Sequence, residues 1–306
     1  MPRIAYFGPS GTFTEMALAR FEATQTFDEP VERIAAPSQG AALELVRAGE
    51  ADGAVVPIES SVEGSISATL DALAVGPRLQ IVAETELDVA FTIVGRPGTQ
   101  LSQVRTIAAY PVAAAQVRQW LADRLPQAQL YTSASNAAAA EDVIAGHAEA
   151  AVSTSLAGQR LGLAELATGV ADHDQATTRF VLVTPPRVAP PRTGADRTSL
   201  VVLELANEPG SLMRVFAEFA TRGVDLTRIE SRPTRTGMGT YRFYLDCVGH
   251  IDDTAVAEAL KALHRTAGRI RYLGSWPAGS PSGSPPPADE PAAAWLENLK
   301  KGVDAS

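Results

Sequence analysis

Cysteine is nearly absent from this sequence, in which Cys247 is the only one among 306 residues. A single thiol excludes a disulfide within the chain and any metal site built from several cysteines. The histidines are few as well, and none of His147, His173, His250 and His264 has a metal-ligand spacing to another histidine or to Cys247. The sequence also lacks a P-loop and a G-x-S-x-G motif, which mark common phosphoryl- and acyl-transfer enzymes. We therefore expect no metal site.

Long apolar runs are missing too, and none approaches the length that crosses a bilayer. The first residues, MPRIAYFG, lead from one basic residue directly into a strand pattern, without a charged and then apolar signal segment. The sequence therefore predicts a cytoplasmic location and no membrane partner.

Positive charge is in deficit, because 26 lysines and arginines stand against 35 acidic residues and give a net charge of -9. Phosphate binding requires a basic face, so this balance argues against nucleic acid as a partner. It does not exclude a small anionic ligand, because one or two arginines and the N-termini of helices bind carboxylates within acidic proteins.

The pattern along the chain predicts two domains and a tail. Over residues 1–184, short β-rich runs alternate with helical patterns, which indicates a mostly parallel, helix-covered α/β sheet. Residues 185–197 are rich in proline and read as a linker. Residues 198–275 have the βαββαβ order of a ferredoxin-like domain. Residues 276–306 are rich in Pro, Gly, Ser and Ala, and we expect them to be mobile.

The stretch FGPSGTFTE, residues 7–15, follows a predicted strand and opens a predicted helix. Thr12 and Glu15 have the T-x-x-E spacing of a capping box. Pro9 and Gly11 bend the chain so that N–H groups at the helix start face outward, which favours anion binding. The residues alone fit either a capped turn or an anion site.

A second stretch, VVPIESSVEGSISATLD at residues 55–71, also predicts a strand followed by a turn and a capped helix start. Ser60 stands three residues before Glu63, Ser61 adds a hydroxyl, and Gly64 permits close approach to a ligand. A plain helix cap again explains these residues. Two helix starts of this kind, however, lie where ligands bind in open α/β sheets, beyond the carboxyl ends of the strands.

The stretch ATTRF, residues 176–180, stands at the entrance of a predicted strand. Arg179 either pairs with a surface carboxylate or presents a bidentate fork to a substrate carboxylate. Thr177 or Thr178 can donate a hydrogen bond to a departing or developing oxyanion. The residues themselves leave both interpretations open.

Together these motifs resemble the prephenate dehydratase family. GPSGTFTE, VVPIESSVEGSISATLD and TTRF are similar to motifs of its catalytic domain, while NEPGSL and LTRIESRP resemble the phenylalanine-binding motifs of its ACT regulatory domain. The resemblance covers roughly residues 3–275. It implies conversion of prephenate to phenylpyruvate, with loss of water and carbon dioxide, on the route to phenylalanine. This chemistry needs neither a metal nor a redox cofactor.

The resemblance also implies an architecture. The catalytic domain is expected to have the two-lobed fold of periplasmic binding proteins, with the active site between the lobes. The first lobe would comprise about 1–76 plus 178–184, and the second about 77–176. The ferredoxin-like ACT domain would follow, pair chains into a homodimer or homotetramer, and bind L-phenylalanine as an inhibitor.

The resemblance assigns roles to individual residues. The family's essential threonine falls on Thr178, and Arg179 follows it as a second catalytic residue. The substrate-binding positions implied are Pro9, Gly11, Thr12, Ser60, Ser61, Gly64, Thr177 and Phe180. The phenylalanine-binding positions implied are Asn207, Pro209, Gly210, Ser211, Leu212, Glu230, Ser231 and Arg232.

Two departures from the family leave alternatives open. The family usually has asparagine where this chain has Ser60 and Ala176, and an alanine side chain offers no hydrogen bond. These changes favour a non-catalytic amino-acid sensor, whereas the retained TTRF favours an enzyme. Arogenate dehydratase, with the same fold and chemistry on an aminated substrate, is the nearest rival.

Overall fold

The computed structural model describes residues 1–172, 176–280 and 282–303, so that His173 lies outside the described part. The strands are β1 (Arg3–Phe7), β2 (Glu32–Ala36), β3 (Gly53–Ser60), β4 (Gly64–Ser65), β5 (Gln80–Asp88), β6 (Thr92–Gly95), β7 (Thr106–Ala109), β8 (Gln129–Thr132), β9 (Ala150–Ser153), β10 (Ala164–Thr168), β11 (Thr177–Thr184), β12 (Asp196–Glu204), β13 (Leu226–Pro233), β14 (Tyr241–Val248) and β15 (Arg269–Pro277). The helices are α1 (Phe13–Ala23), α2 (Gln39–Arg47), α3 (Ser67–Ala74), α4 (Pro111–Gln116), α5 (Arg118–Arg124), α6 (Asn136–Ala145), α7 (Ser155–Arg160), α8 (Ser211–Ala220), α9 (Thr254–Thr266) and α10 (Glu290–Lys300).

Two sheets carry the first domain, which confirms the predicted two-lobed α/β class. Both sheets contain antiparallel as well as parallel pairs, so the expectation of a mostly parallel sheet was wrong. The first sheet has the order β2-β1-β3-β11-β5, with β4 paired to β3, and the second has the order β10-β6-β9-β7-β8. The chain leaves the first sheet after β5, builds the second, and returns to the first as β11. Because β11 runs antiparallel to β3, its N-terminal end lies beside the C-terminal end of β3.

Strand β5 moves the boundaries that the sequence predicts. The first sheet extends to Asp88, whereas the first lobe was expected to end near residue 76. The chain divides into two compact units, Met1–Ala72 with Thr85–Pro185, and Leu73–Glu84 with the chain from Pro186 onward. The first half of β5 thus belongs to the second unit. Glu84 explains this, because its carboxylate pairs with Arg197 at 3.4 Å and accepts the Gly279 N–H at 2.7 Å.

The lobe of the second sheet has cores of small and aliphatic residues. One cluster includes Ile93, Ile107 and Val152, and another includes Val94, Ala139 and Ala151, all buried. Consecutive residues of β6 thus pack on opposite faces, as the alternation of side chains in a strand requires. A sheet covered on both faces explains why its strands read as short, continuous apolar runs.

The second unit contains a sheet of order β13-β14-β12-β15, with α8 and α9 on one face. The chain order β12-α8-β13-β14-α9-β15 confirms the predicted ferredoxin-like plan. On the other face, Arg228 and Asp246 form a buried bidentate ion pair at 2.8 and 2.7 Å.

Part of the tail, which was expected to be mobile after residue 275, has regular secondary structure. Strand β15 continues to Pro277, and Glu290–Lys300 form α10, none of whose residues is buried. The sequence of α10, EPAAAWLENLK, is rich in alanine, leucine and glutamate, which have high helix propensity. The prediction used the composition of the whole tail, in which proline, glycine and serine outweigh the helix-forming residues of this short segment.

Among the described residues, no helix is both long enough and apolar enough to span a membrane.

Candidate active site

A cavity of about 470 Å³ lies in the first unit at the carboxyl ends of β1 and β3. Strand β11 contributes its first residues, and the N-termini of α1, α3 and α6 open onto the cavity. Helices α1 and α3 come from the lobe of the first sheet, whereas α6 comes from the lobe of the second. The location is the one that open α/β sheets use for ligands.

Thr178 and Phe180 line this cavity from β11. They are two residues apart, so they lie on the same face of the strand. Thr178 is 9 % exposed and lies opposite Ser60 of β3 in the antiparallel register. Ser60, 8 % exposed, also lines the cavity, which brings two hydroxyl-bearing side chains together on one wall.

Ser60 does not begin a helix, contrary to the prediction from its spacing to Glu63. Strand β3 runs through Ser60, and α3 begins at Ser67. The Ser60 hydroxyl instead accepts the N–H groups of Val62 and Glu63 at 3.3 Å and so closes a turn. The short pairing of β4 with β3 takes up the residues that were expected to start the helix.

Thr12 is the N-cap of α1, and its hydroxyl accepts the Glu15 N–H at 3.4 Å, as the capping-box pattern predicts. The reciprocal bond differs, because the Glu15 carboxylate accepts the N–H of Gly11, at 2.7 Å. Thr12 lines the cavity, while Pro9 and Gly11 do not line it. The Gly11 N–H is therefore engaged by a carboxylate of the chain itself.

Arg179 lies on the opposite face of β11 from Thr178 and does not line the cavity. Its side chain is 5 % exposed, and its Nη2 donates to the Glu59 carboxylate at 2.7 Å. Glu59 is the residue directly opposite Arg179 on β3. Of the two arrangements that the sequence allowed, the structure has the pair with a carboxylate of the chain.

The remaining predicted positions lie at the edge of the site. Ser61 and Thr177 are joined by two hydrogen bonds, both of 2.9 Å. The Ser61 N–H donates to the Thr177 carbonyl, and the Thr177 N–H donates to the Ser61 hydroxyl oxygen. Gly64 has a φ of 75°, in the left-handed region that glycine adopts without strain. Ala176 is buried, and its carbonyl accepts the N–H of Val89, which lines the cavity.

Several cavity residues were not predicted. Asn136, at the start of α6, and Gln116, in α4, line the cavity from the second lobe. Glu63 lines it from the first lobe and accepts a hydrogen bond from Gln116 Nε2 at 3.5 Å. The sequence carries a signal only for Asn136. Ser135 follows a predicted strand and is a typical N-cap residue, so it indicates that another helix starts at this point.

The charge around the cavity is unusual for an anion site. None of the described residues that line it has a cationic side chain. An anion in this cavity would be bound by hydroxyl groups, by amide side chains and by the N–H groups at the starts of α1, α3 and α6.

In the second unit, a smaller cavity of about 360 Å³ includes three of the predicted phenylalanine-binding residues, Asn207, Ser211 and Leu212. Pro209 and Gly210 form the turn before α8, where Gly210 is the N-cap with a φ of 81°.

The ESRP residues divide between the two faces of β13. Ser231 lies opposite Phe243, which lines the smaller cavity, whereas Glu230 lies opposite Tyr244 and Arg232 opposite Arg242. By strand alternation, Glu230 and Arg232 are directed to the face away from that cavity.

Comparisons with known proteins agree with this arrangement. The model of the family described as prephenate dehydratase matches residues 4–187, and that of the ACT domain matches residues 198–265. A prephenate dehydratase of Mycolicibacterium vanbaalenii is 58 % identical over 99 % of both chains. One from Mycobacterium tuberculosis is 57 % identical over 99 % of this chain and 95 % of its own. A crystal structure of the Arthrobacter aurescens prephenate dehydratase in complex with L-Phe is 40 % identical, covers 98 % of this chain and 100 % of its own, and superposes with a TM-score of 0.88. The chain belongs to the prephenate dehydratase family and carries an ACT domain, which the sheet β13-β14-β12-β15 builds.

Proposed function

We propose that the chain is a prephenate dehydratase in which Thr178 assists departure of the ring hydroxyl. The observation that supports this role is the position of Thr178 on the cavity wall, opposite Ser60 and at the level of three helix N-termini. Prephenate is a dianion with a ring hydroxyl, so its site needs hydrogen-bond donors for two carboxylates and one for the leaving oxygen.

The two carboxylates are proposed to bind the helix starts. The Thr12 hydroxyl donates to the Phe7 carbonyl at 3.0 Å, so the donors at α1 are the N–H groups that follow it. Ser67 at α3 adds a donor on the same wall, and Ser135 and Asn136 at α6 offer donors on the other. Because the N-terminus of a helix carries partial positive charge, it stabilises a carboxylate without a cationic side chain. The position of these starts in both lobes fits a ligand that bridges the cleft.

In the reaction, the bond between the ring and its carboxylate breaks, and carbon dioxide leaves. The electron pair of that bond moves into the ring, which becomes aromatic as the C–O bond breaks; the hydroxyl group leaves as hydroxide and takes a proton from solvent to become water. A neutral threonine hydroxyl is a weak acid, so Thr178 is assigned to hydrogen bonding of the leaving oxygen rather than to full proton transfer. Ser60, as its cross-strand neighbour, is proposed to contact the same region of the substrate.

Arg179 is proposed to act through Glu59. The pair joins β11 to β3 on the face behind Thr178 and Ser60, so that it fixes the register of the two residues that face the cavity. A direct contact of Arg179 with a substrate carboxylate, as expected from the family motif, would require this pair to open.

L-phenylalanine is proposed to bind the ACT domain and to inhibit. The cavity beside Asn207 and Ser211 supports an amino-acid site, as does the relative that was solved in complex with L-Phe. Because Glu230 and Arg232 face away from that cavity, we propose that they serve the site of a second copy in a homodimer or homotetramer. Light scattering after size-exclusion chromatography, with and without phenylalanine, tests this assembly.

An ultraviolet assay of phenylpyruvate formation from prephenate by the purified chain tests the catalytic assignment. Turnover of arogenate by the same preparation decides between the two dehydratases. Absence of turnover with both substrates, while phenylalanine binds, would favour the non-catalytic sensor. The cytoplasmic location stays a prediction from the sequence.

A further inference from the structure

Glu15 lies at the centre of a hydrogen-bond network behind the cavity. Its carboxylate is 5 % exposed and accepts hydrogen bonds from Gly11 N–H at 2.7 Å and Ser10 Oγ at 3.0 Å. Two guanidinium groups also donate to it, Arg33 at 3.1 Å and Arg160. These two cations come from different parts of the domain, which gives the carboxylate a role beyond capping α1.

Arg33 and Arg160 belong to opposite lobes. Arg33 lies on β2 of the first sheet, beside Glu15, whereas Arg160 ends α7 in the lobe of the second sheet. The Arg160 side chain also donates to Ser10 Oγ. The pair of Glu15 with Arg160 thus joins the lobes, while the pair with Arg33 stays within one.

The loop before α1 makes two further contacts with α7. Thr154, the N-cap of α7, donates its hydroxyl to Gly11 O at 2.8 Å. Gly11 also packs closely on Ala157, because a Cβ placed at Gly11 would lie 3.0 Å from the Ala157 Cβ. The loop that the sequence allowed as either a capped turn or an anion site is therefore the joint between the lobes.

Both ends of this joint lead directly to the cavity walls. Thr12, which follows Gly11, lines the cavity and accepts the Glu15 N–H. On the other side, Ser153 precedes Thr154 and donates its hydroxyl to the Asn136 carbonyl at 2.5 Å, where α6 begins at the cavity. A change in the joint changes the distance between the two walls.

We infer that Glu15 and Arg160 are positioning residues for the reaction, because their pair holds the lobes at the separation at which Thr12 and Asn136 contact one substrate. The inference rests on the proposed dehydratase activity. Glu15 is ionised in this setting: burial raises its pKa, but hydrogen bonds from Arg160, the Gly11 N–H and Ser10 outweigh burial and lower the pKa below its ordinary value.

The pair of Glu15 with Arg160 sets the fraction of molecules in which the two lobes are at the separation that binds substrate. This predicts how KM and kcat change when the pair is lost. If only a fraction of the molecules have the lobes at the binding separation, the apparent affinity falls by that fraction. The chemical step in the molecules that do close is unchanged. Loss of the pair should therefore raise KM while kcat stays nearly constant.

The test compares Arg160→Gln with Arg33→Gln in prephenate turnover by the full-length chain. Each variant removes one guanidinium from the same carboxylate, but only Arg160→Gln breaks the link between the lobes. We expect Arg160→Gln to raise KM by about tenfold with kcat within about twofold, and Arg33→Gln to leave both nearly unchanged. Arg160→Lys should restore part of the loss, because an ammonium still pairs with Glu15 but does not reproduce the guanidinium geometry in which Nη1 bonds both Glu15 and Ser10.

Thermal unfolding of each variant separates positioning from stability. Equal KM values for Arg160→Gln and Arg33→Gln would overturn the inference, as would a loss of activity that follows the unfolding temperature alone. Glu15→Gln combined with Arg160→Gln should raise KM no further than the larger single change, and additive effects would contradict a shared pair. An inactive wild-type chain would refute the proposed function instead.

Discussion

Thr178 and Ser60 lie directly opposite each other in the antiparallel pairing of β11 with β3. Residues in such a pair have Cβ atoms about 4.5–5.5 Å apart, so both side chains reach the same part of the cavity. The two strands are more than a hundred residues apart in the chain, and β11 arrives only after the second lobe is complete. Thr178 is thus placed on the cavity wall by the return of the chain to its first sheet.

Replacement of Thr178 by alanine should lower kcat by about 10²–10³-fold, because the leaving oxygen loses its hydrogen-bond donor. Thr178→Ser should retain more activity, since it keeps a hydroxyl. Thr184→Ala is a matched control: it lies at the other end of β11, buried, with its hydroxyl bonded to the Pro185 carbonyl. Near-normal turnover of a folded Thr178→Ala enzyme would rule out the proposed role.

Arg179→Lys should lose activity mainly through its pair with Glu59. An ammonium does not reproduce the planar guanidinium, and the Glu59 side chain is 37 % exposed, so the expected loss of stability is about 1 kcal/mol. Glu59→Gln should have a similar effect on unfolding and on kcat/KM, with non-additive changes in the double variant. A rise in KM for Arg179→Lys that Glu59→Gln does not share would show instead that Arg179 binds substrate.

Gly210→Ala should abolish inhibition by L-phenylalanine while kcat for prephenate is kept. Gly210 has a φ of 81°, so a side chain strains the turn that leads into α8 and displaces the neighbouring Ser211. Gly98→Ala is the control, because Gly98 has a φ of 89° in the first unit and no atom lies within 4 Å of the position that a Cβ would take. Retained inhibition in Gly210→Ala, with the same thermal shift on adding phenylalanine, would place the effector site elsewhere.

Cys247 provides a probe of the ACT core. Its burial, and to a lesser degree the Asp246 carboxylate, raises the pKa of the thiol. A thiol reagent should therefore leave the native protein unmodified at about pH 8, where a free thiol of pKa about 8.5 reacts, and should modify it upon unfolding.

The same shift predicts a dependence of stability on pH. As pH rises past about 8.5, the unfolded chain loses the thiol proton while the folded chain keeps it, so the free energy of unfolding falls by up to about 1.4 kcal/mol per pH unit. Urea unfolding of Cys247→Ala should lack this part of the alkaline slope. Identical slopes in the two proteins would contradict the raised pKa.

Local rules predicted much of the structure. The alternation of apolar runs and helical patterns gave the α/β class and the βαββαβ domain, and T-x-x-E spacing located the start of α1. The same spacing failed at Ser60 because strand pairing competed with it: β3 continues to Ser60, and the turn to β4 uses the residues that a helix would need. A capping pattern specifies a helix only where the backbone of those residues does not form strand hydrogen bonds instead.

The motif TTRF also combines a feature that the sequence predicts with features that only the tertiary structure decides. Period-two alternation within a strand implies that Thr178 and Phe180 share a face that Arg179 does not, so sequence could have separated these roles. The identity of the face toward the cavity, and Glu59 as the partner of Arg179, depend on the register of β11 against β3.

The sequence alone determined the family, the order of the elements and the threonine at the site, since these depend on motifs and on patterns local in the chain. Only the tertiary structure decided that Arg179 pairs with Glu59, that Gly11 joins the lobes and that Glu15 binds cations from both. These arrangements bring together residues distant in sequence, and the free energy of each contact depends on burial and geometry that no local pattern encodes.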